Sequence, residues 1–389
     1  MFILDPPFVS EYLKETVAKN DIPVLKTPYT QSLGLNNSVK FITEEEAIQS
    51  LSEKENPPVY SNSENAIEWI SRRLPDTKLN DQLNLFKDKI RFRELLEALH
   101  PNFYFKGIPF DELDTIDTRS IQKPFIIKPA VGFFSLGVYK VFHDSEWENI
   151  KKQIQLEVQT IKRVYPTKVL DTSMFIIEQN IEGDEYAFDA YFNDKGEAVI
   201  LSLLKHLYAH DGDVSDRVYI SSKKIFENNQ QSFEEYLQKI GDLAGLKNFP
   251  LHVEVRVDDM GMIKPIEVNP MRFGGWCTTA DMTSMAFGSN PYLAFHQQIK
   301  PDWEKILRDK DGLIYSNIVL TNASGYDVHN IKSFDYSKLK SRFRKVLELR
   351  QANYRDYLMF GFIFAETLEK NAAELDWILK DDLREFITI

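Results

Sequence analysis

An alternation of apolar and polar residues over 251–269 constrains the fold of this chain more than any other feature of its sequence. From Leu251 to Val257 every second residue is apolar, and the residues between are polar: His252, Glu254 and Arg256. Successive side chains of a β-strand point to opposite faces, so the two sets would lie on opposite faces. Residues 266–269 repeat the pattern, and the turn sequence at 258–261 predicts an antiparallel hairpin.

The polar face of this predicted hairpin has the composition of a divalent-cation site. Pairing of the two strands places two carboxylates and one amide oxygen together: those of Glu254, Glu267 and Asn269. Such oxygens are the ligands that Mg²⁺ prefers, and Mg²⁺ held this way can also contact phosphates. The alternative is a half-exposed hairpin whose polar residues face water, because this alternation is common in antiparallel sheets.

A lysine and a glycine-containing turn upstream suit the phosphates of a nucleotide. The apolar run Phe125–Ile127 ends in Lys128, and residues 130–138 follow with two glycines. A lysine at a strand end can pair with phosphates, and such a turn can donate backbone N–H groups to them. Lys-Pro followed by two glycines also occurs in ordinary hairpins, so this segment alone leaves both interpretations open.

Residues 176–185 suit the adenosine part of a nucleotide. An apolar strand ends in Glu178, and Glu185 follows seven residues later. An exposed strand-to-loop backbone can bind the adenine edge, and a carboxylate beside it can accept hydrogen bonds from ribose hydroxyls. The alternative for this segment in isolation is an acidic surface turn.

Composition excludes several classes of function. The 389 residues are 43% hydrophobic, which suits a large buried core in two or three domains and argues against disorder. A net charge of −12 argues against a nucleic-acid surface. The single cysteine, Cys277, has no base beside it and is predicted to be a buried thiol. The sequence has no run of about 18 apolar residues, so we expect a cytoplasmic protein without nucleic-acid or membrane partners.

In their order and separation these segments resemble the ATP-grasp superfamily of carboxylate–amine and carboxylate–thiol ligases. The resemblance covers roughly residues 85–290 and is sharpest at 175–185, at His252-Val253-Glu254 and at Ile266-Glu267-Val268-Asn269-Pro270. It implies an α+β / α/β chain with the ATP-grasp fold, in which two α+β lobes sandwich ATP.

The same resemblance implies a division of the chain into three parts. Residues 1–85 are expected to form a small N-terminal α/β domain, the pre-ATP-grasp domain. Residues 86–300 would form the ATP-grasp domain, with a small lobe at about 120–182 and a large lobe at about 183–300. Residues 301–389 carry scattered charge and are predicted to be a mainly helical C-terminal extension.

The resemblance also implies roles for individual residues. Phosphate contacts would come from four cations: Lys89, Lys128, Lys205 and Arg217. Adenine and ribose contacts would come from the hinge segment: Glu178 near the adenine amino group, Gln179 and Ile181 through backbone or apolar surface, and Glu185 at the ribose. The metal ligands would be Glu254, Glu267 and Asn269. The catalytic cations at the transferred phosphoryl group would be Arg272, Lys128 and Arg256.

The sequence departs from the common family pattern at three places. Arg272 follows Asn269 by three residues, whereas the common form is Asn-Pro-Arg. The turn at 130–138 has fewer glycines than in many members and carries Phe133 and Phe134. Gln179 stands where lysine is frequent, which matters little if the contact is made by backbone.

The activity implied is that of an ADP-forming ligase. ATP would activate a substrate carboxylate as an acylphosphate, and an amine or, less often, another nucleophile would displace phosphate. The expected cofactors are ATP and one or two Mg²⁺ ions, with Mn²⁺ as an alternative. The expected partners are small carboxylates and amines, and a second copy of the chain, in a homodimer, is a further candidate partner. Two alternatives stay open: a kinase or phosphotransferase on the same fold, and a non-catalytic nucleotide-binding module.

Overall fold

The computed structural model describes the chain except residues 36–38, 133–136, 165–170, 211–212, 214 and 358, and it describes no side chains at 159–164 and 171–172. Phe133 and Phe134, which the sequence placed in the phosphate-binding turn, therefore lie outside the described residues. In the described part of the chain no helix is long and apolar enough to cross a membrane.

The N-terminal unit is a small parallel sheet with helices around it. Its strands and helices are β1 (Phe2–Ile3), α1 (Glu11–Lys19), β2 (Val24–Leu25), α2 (Pro28–Ser32), β3 (Phe41–Ile42), α3 (Glu44–Ser52), β4 (Tyr60–Ser61) and α4 (Asn65–Arg73). The strand order is β3-β2-β1-β4. Thr43 and Glu46 form a reciprocal capping box at the start of α3, which satisfies backbone donors of its first turn.

Two helices lead from this unit into a four-stranded antiparallel sheet. These elements are α5 (Lys78–Lys87), α6 (Lys89–Leu96), β5 (Phe105–Pro109), β6 (Phe125–Val131), β7 (Tyr139–Val141), α7 (Trp147–Val164) and β8 (Asp171–Gln179). The strand order is β5-β8-β6-β7. One face of the sheet buries Phe125 and Ile127 against Trp147, Ile150 and Ile154 of α7, so the apolar stripe of that helix closes the small lobe.

A nine-stranded sheet forms the larger body of the molecule. Its first part contains β9 (Asp184–Phe192), β10 (Ala198–Ile200), β11 (Leu204–Leu207), β12 (Val218–Ser222), α8 (Lys223–Ala244), β13 (Phe249–Val257), β14 (Ile263–Pro270), α9 (Thr278–Phe287) and α10 (Pro291–Gln297). In space β14, β13, β9, β11 and β12 are successive neighbours, and β10 pairs with β9.

The predicted hairpin at 251–269 is confirmed by the pairing of β13 with β14. Glu254 lies opposite Glu267, and His252 lies opposite Asn269. The valines of β13 join Tyr186 and Phe188 of β9 and Phe233 of α8 in one buried cluster. The polar residues of β13 and β14 therefore share the other face of the sheet, because side chains alternate along a strand.

The prediction of a mainly helical segment at 301–389 was wrong, because three of its strands continue the large sheet in the order β15-β18-β17. The segment contains α11 (Trp303–Ile306), β15 (Leu313–Thr321), β16 (Ser333–Phe334), α12 (Tyr336–Lys340), β17 (Val346–Gln351), α13 (Tyr354–Tyr357), β18 (Met359–Leu368), α14 (Ala373–Lys380) and β19 (Ile387–Thr388). Ile363 of β18 packs with Ile378 of α14, and Phe364 packs with Met282 of α9. Both faces of β18 are covered, so its sequence is a continuous apolar run without strand alternation.

Candidate active site

Helix α6 places two cations between the two lobes. Lys89 Nζ lies 3.5 Å from a carboxylate oxygen of Glu267 in the large sheet and donates to the carbonyl of Gly132 beside the small sheet at 3.3 Å. Arg93, one turn later on the same helix face, donates to the carbonyls of Pro265 and Ile266 at 2.6 and 3.2 Å. Both cations therefore link the small lobe to the carboxylate-bearing strand β14.

A buried group of three charges anchors the small-lobe side of this cleft. Glu178 binds Lys128 Nζ at 2.6 Å with one oxygen and Arg93 Nε at 2.8 Å with the other. Burial alone would raise the pKa of Glu178, but the two cations outweigh it and lower the pKa to about 2. Both oxygens are bound and the side chain is 3% exposed, so Glu178 holds these two cations; its predicted position near the adenine amino group remains a prediction.

Two carboxylates oppose each other on the large-lobe side of the cleft. Glu254 and Glu267 are directly opposite in the β13–β14 register, where like charges repel. Burial and then the charge of Glu267 raise the pKa of Glu254. Burial also disfavours the charged form of Glu267, but Lys89 and Lys128 outweigh it and lower the pKa of that carboxyl.

The donor chemistry at this pair fits a divalent cation. Asn269 Nδ2 donates to Glu267 at 3.0 Å, so all three predicted ligands adjoin one another on the hairpin. In the described part of the chain no three His, Cys, Asp or Glu side chains form a group able to hold a metal ion. An ion here would therefore depend on two carboxylates, one amide and oxygens of its other ligand, which is the coordination Mg²⁺ uses with phosphates. Its positive charge would relieve the repulsion between Glu254 and Glu267.

The hinge between the lobes is held by a second buried carboxylate, Glu185. It accepts hydrogen bonds from Tyr208 at 2.6 Å and Arg256 at 3.0 Å, and its other oxygen lies 3.1 Å from His206 Nδ1. Arg256 also donates to the carbonyl of Ile181 at 2.6 Å. Arg256 therefore ties the hinge to β13, and its predicted catalytic role remains a prediction. The predicted ribose contact of Glu185 remains a prediction.

The backbone of the hinge is partly occupied by the small sheet. The N–H of Gln179 donates to the carbonyl of Tyr104 at 3.0 Å, and its side-chain oxygen accepts from the Tyr104 N–H at 2.9 Å. Ile181 is 6% exposed, and its carbonyl is bound by Arg256. The predicted adenine contacts of Gln179 and Ile181 remain predictions.

A histidine–aspartate pair connects the carboxylates of β13 to the segment after β14. His252 Nδ1 lies 2.8 Å from fully buried Asp189, and its Nε2 lies 3.7 Å from Glu254. Burial lowers the pKa of His252, but hydrogen bonding to Asp189 and Glu254 outweighs it and raises the pKa to about 9. Asp189 also accepts from the Gly274 N–H at 2.9 Å and from the Thr279 hydroxyl.

The segment after β14 has unusual backbone geometry. Met271, Trp276 and Cys277 have φ values of 63°, 56° and 59°, in the left-handed region that non-glycine residues avoid. Each such residue costs roughly 1–3 kcal/mol, and these conformations cluster at functional sites. Cys277 is buried, as predicted, and burial raises the pKa of its thiol to about 11, which excludes a ready thiolate nucleophile.

Arg272 binds a carboxylate of the N-terminal unit. Its guanidinium lies 2.8 Å from Glu64, whose other oxygen lies 2.5 Å from Lys87 Nζ. The charges of Glu64, Glu267 and Glu254 together favour the charged form of Arg272 against the effect of burial and raise its pKa. Its predicted contact with the transferred phosphoryl group remains a prediction.

Of two further predicted phosphate contacts, Lys205 does not fit the structure and Arg217 remains a prediction. Lys205 lies beside Tyr186 in the β11–β9 register, on the α8 face of the sheet, and pairs with Asp184 at 2.6 Å. Arg217 is buried, and burial lowers its pKa. Three carboxylates partly oppose this shift, and none of them belongs to the Glu254–Glu267 pair: Asp381, Asp213 and Asp382. Neither cation joins the Glu254–Glu267 cluster.

Sequence reasoning missed Arg93, Asp189 and Glu64. Arg93 could have been found from its position one helical turn after Lys89. Asp189 could have been found because it lies four residues after Glu185, on the same face of a strand. Glu64 carries no local signal, since its partner Arg272 is 208 positions away in the chain.

Residues 121–280 match the ATP-grasp domain family. This region includes the sheet of the small lobe, the hinge and the carboxylate hairpin. The chain contains an ATP-grasp domain. The structure of this ATP-grasp protein also resembles solved structures over nearly its whole length, and the predicted ATP-grasp fold is confirmed. No curated protein matches its sequence significantly.

Three solved structures illustrate the likeness. An L-amino acid ligase from Bacillus licheniformis has a TM-score of 0.66 at 17% identity and covers 99% of this chain and 97% of its own. N5-carboxyaminoimidazole ribonucleotide synthetase from Thermotoga maritima has a TM-score of 0.61 at 14% identity, and the match covers 100% of this chain and 98% of that chain. A biotin carboxylase complex from Campylobacter jejuni has a TM-score of 0.60 at 13% identity, and the match covers 96% of this chain and 88% of that chain. At these identities the likeness establishes the fold and leaves the substrates open.

Proposed function

We propose that this ATP-grasp protein is an ADP-forming ligase that joins a small carboxylate to an amine. The observation that carries the proposal is the position of Lys89, which lies 3.5 Å from Glu267 of one lobe and 3.3 Å from the Gly132 carbonyl of the other. Positive charge from α6 thus faces a carboxylate pair suited to Mg²⁺ across the cleft where the fold holds a nucleotide. The fold shared with three ligases of the same architecture is a second support.

The first step transfers the γ-phosphoryl group of ATP. A carboxylate oxygen of the substrate forms a bond to the γ-phosphorus while the bond to the bridging oxygen of ADP breaks, which leaves an acylphosphate and ADP. Such a transfer depends on alignment and charge neutralisation more than on covalent help. Mg²⁺ bound by Glu254, Glu267 and Asn269 would neutralise the β- and γ-phosphate oxygens. Lys128 and Lys89 supply further positive charge from the small-lobe side, held in place by Glu178 and Gly132.

The second step forms the amide. The amine nitrogen bonds to the acyl carbon, the carbon–oxygen bond to phosphate breaks, and the nitrogen loses a proton to solvent or a base. Water would hydrolyse the acylphosphate, so the cleft has to exclude it during this step.

The test begins with thermal-shift screening against Mg·ATP and then against amino acids, dipeptides and small acids. ADP release is then measured on the hits, with and without an amine. Glu267→Gln should lower ADP release about 10²–10³-fold, because it removes a pre-organised charge at the transition state. Asp259→Asn, an exposed change on the tip of the same hairpin, should behave like the wild type.

Two outcomes would overturn the proposal. Wild-type turnover and Mg²⁺ dependence in Glu267→Gln would exclude the carboxylate pair as the metal site. Accumulation of a phosphorylated product that no amine consumes would identify a kinase on the same fold instead of a ligase.

A further inference from the structure

A cavity of about 560 Å³ lies where the N-terminal unit meets the C-terminal strands. Its walls come from α1 and the loop before it, from the end of α2, from Asp281 of α9, and from Glu348 and Arg350 of β17. This volume is in the range of small-molecule sites. The N-terminal and C-terminal parts of the chain therefore share one cavity.

The charges that line this cavity leave one carboxylate in excess. Arg350 binds the buried carboxylate of Asp281 at 2.7 Å, and Lys14 binds Glu11 at 2.8 Å. Glu348 also forms an ion pair with Arg350, at 3.0 Å, and the side chain of Glu348 is 38% exposed. Three carboxylates thus face two cations, so the cavity favours a ligand with positive charge and disfavours a second anion.

The remaining lining suits an ammonium group with an apolar body. Tyr12 and Tyr29 line the cavity together with apolar side chains, among them Val9 and Leu33. Aromatic faces attract cations, and apolar walls bury the carbon skeleton of a ligand. The ring of Phe8 is already used, since Arg350 lies 4.6 Å above it and Trp276 stacks on it at 5.8 Å.

The cavity is joined to the nucleotide cleft by the segment after β14. The carbonyl of Trp276 accepts a hydrogen bond from Arg350 at 2.6 Å. In the same segment the N–H of Gly274 is held at 2.9 Å by Asp189, which binds His252 beside Glu254. A ligand in this cavity therefore lies next to the strained segment, which Asp189 and His252 link to Glu254.

We propose that this cavity binds the amine substrate, a primary amine with an aromatic or branched apolar body, and that Glu348 pairs with its ammonium group. The assignment to the amine rests on the proposed ligase function, whereas binding of such a cation does not. The excess carboxylate excludes the cavity as the site of the acyl anion, which would then lie closer to Arg272.

Isothermal titration in the absence of nucleotide tests this proposal with three probes of matched shape: phenethylamine, 2-phenylethanol and phenylacetate. The wild type should bind phenethylamine more tightly than the other two. Glu348→Gln should weaken phenethylamine about tenfold or more, because it removes a charge-assisted contact. Leu33→Trp, which fills the cavity without changing its charge, should also weaken binding. Glu304→Gln, an exposed change on α11, is the control.

Mg·ATP binding, measured in parallel, should be unchanged in all three variants and thereby confirm their fold. Unaltered phenethylamine binding in Glu348→Gln, equal or tighter binding of phenylacetate by the wild type, or no phenethylamine binding at all would overturn the proposal. If phenethylamine binds as expected while no amine stimulates ADP release, the amine-binding site stands and the ligase function fails.

Discussion

Glu178 fixes the direction of two cations that the nucleotide cleft needs. Each of its oxygens binds one of them, Lys128 or Arg93, and the carboxylate is 3% exposed. Without this carboxylate two positive charges would lie buried and close together, which is costly. Glu178 therefore positions Lys128 and Arg93 at the cleft.

Glu178→Gln should lower the free energy of unfolding at pH 7 by about 3 kcal/mol or more, because it leaves the two cations without their counter-charge. The pKa of Glu178 is lowered from 4.5 to about 2, so the stabilisation by its charge is complete above pH 4.5 and is lost as the pH falls toward 2. Urea unfolding at pH 7, 5 and 3.5 should show the difference from wild type narrowing as the pH falls.

The matched control for this prediction is Glu182→Gln, an exposed glutamate four residues along the chain. It should follow the wild type at every pH. A difference between wild type and Glu178→Gln that stayed constant from pH 7 to 3.5 would contradict the pKa assigned to the buried carboxyl.

At the scale of elements, the connection between β8 and β9 is the hinge of the ATP-grasp domain. Gly183 has φ +116°, and a Cβ added to it would lie 2.2 Å from the carbonyl oxygen of Val257 at the end of β13. The hinge therefore passes against the backbone of the carboxylate hairpin with no room for a side chain. Arg256, which binds Ile181 and Glu185, holds the hinge there.

Gly183→Ala should displace the hinge and weaken Mg·ATP binding. Residues with a side chain rarely adopt the positive φ of Gly183, and the close approach of the Val257 carbonyl leaves no space for a methyl group. Gly245→Ala is the control: its φ is +60° but a Cβ there would meet nothing within 4 Å. That variant should lose about 1 kcal/mol of stability and keep its nucleotide affinity. Equal nucleotide affinities in the two variants would exclude a role of the hinge in binding.

The hairpin with one buried face could be predicted from its alternation, whereas the strands of residues 301–389 could not be predicted. The β13–β14 hairpin followed from alternation, because valines face α8 while Glu254 and Glu267 face the cleft. Strands β15 and β18 lie between two covered faces, so their apolar runs carry no alternation and resemble buried helices. The phosphate contact predicted for Lys205 did not take account of the β11–β9 register, which depends on pairing that spacing along one strand does not reveal.

At the scale of the whole molecule, the cleft is assembled from parts far apart in the chain. Arg93 reaches Glu178 85 positions away, and Arg272 reaches Glu64 208 positions away. The order of motifs predicted the two lobes and their carboxylates, but not which cations would be held by which acids. These partners depend on how the N-terminal unit and α6 pack, which no local pattern specifies.

Glu64→Gln tests whether the N-terminal unit and the ATP-grasp domain act as one body. Glu64 binds Arg272 at 2.8 Å and Lys87 at 2.5 Å, and the two cations lower its pKa to about 2 in spite of burial. Removing its charge should lower the melting temperature and also free Arg272, reducing ADP release more than substrate binding. Differential scanning calorimetry and steady-state kinetics measure the two effects, with Glu45→Gln, exposed on α3 of the same unit, as the control. Lower stability with unchanged kcat would leave Glu64 a purely structural link, because a carboxylate that positions a catalytic arginine should change the rate when its charge is removed.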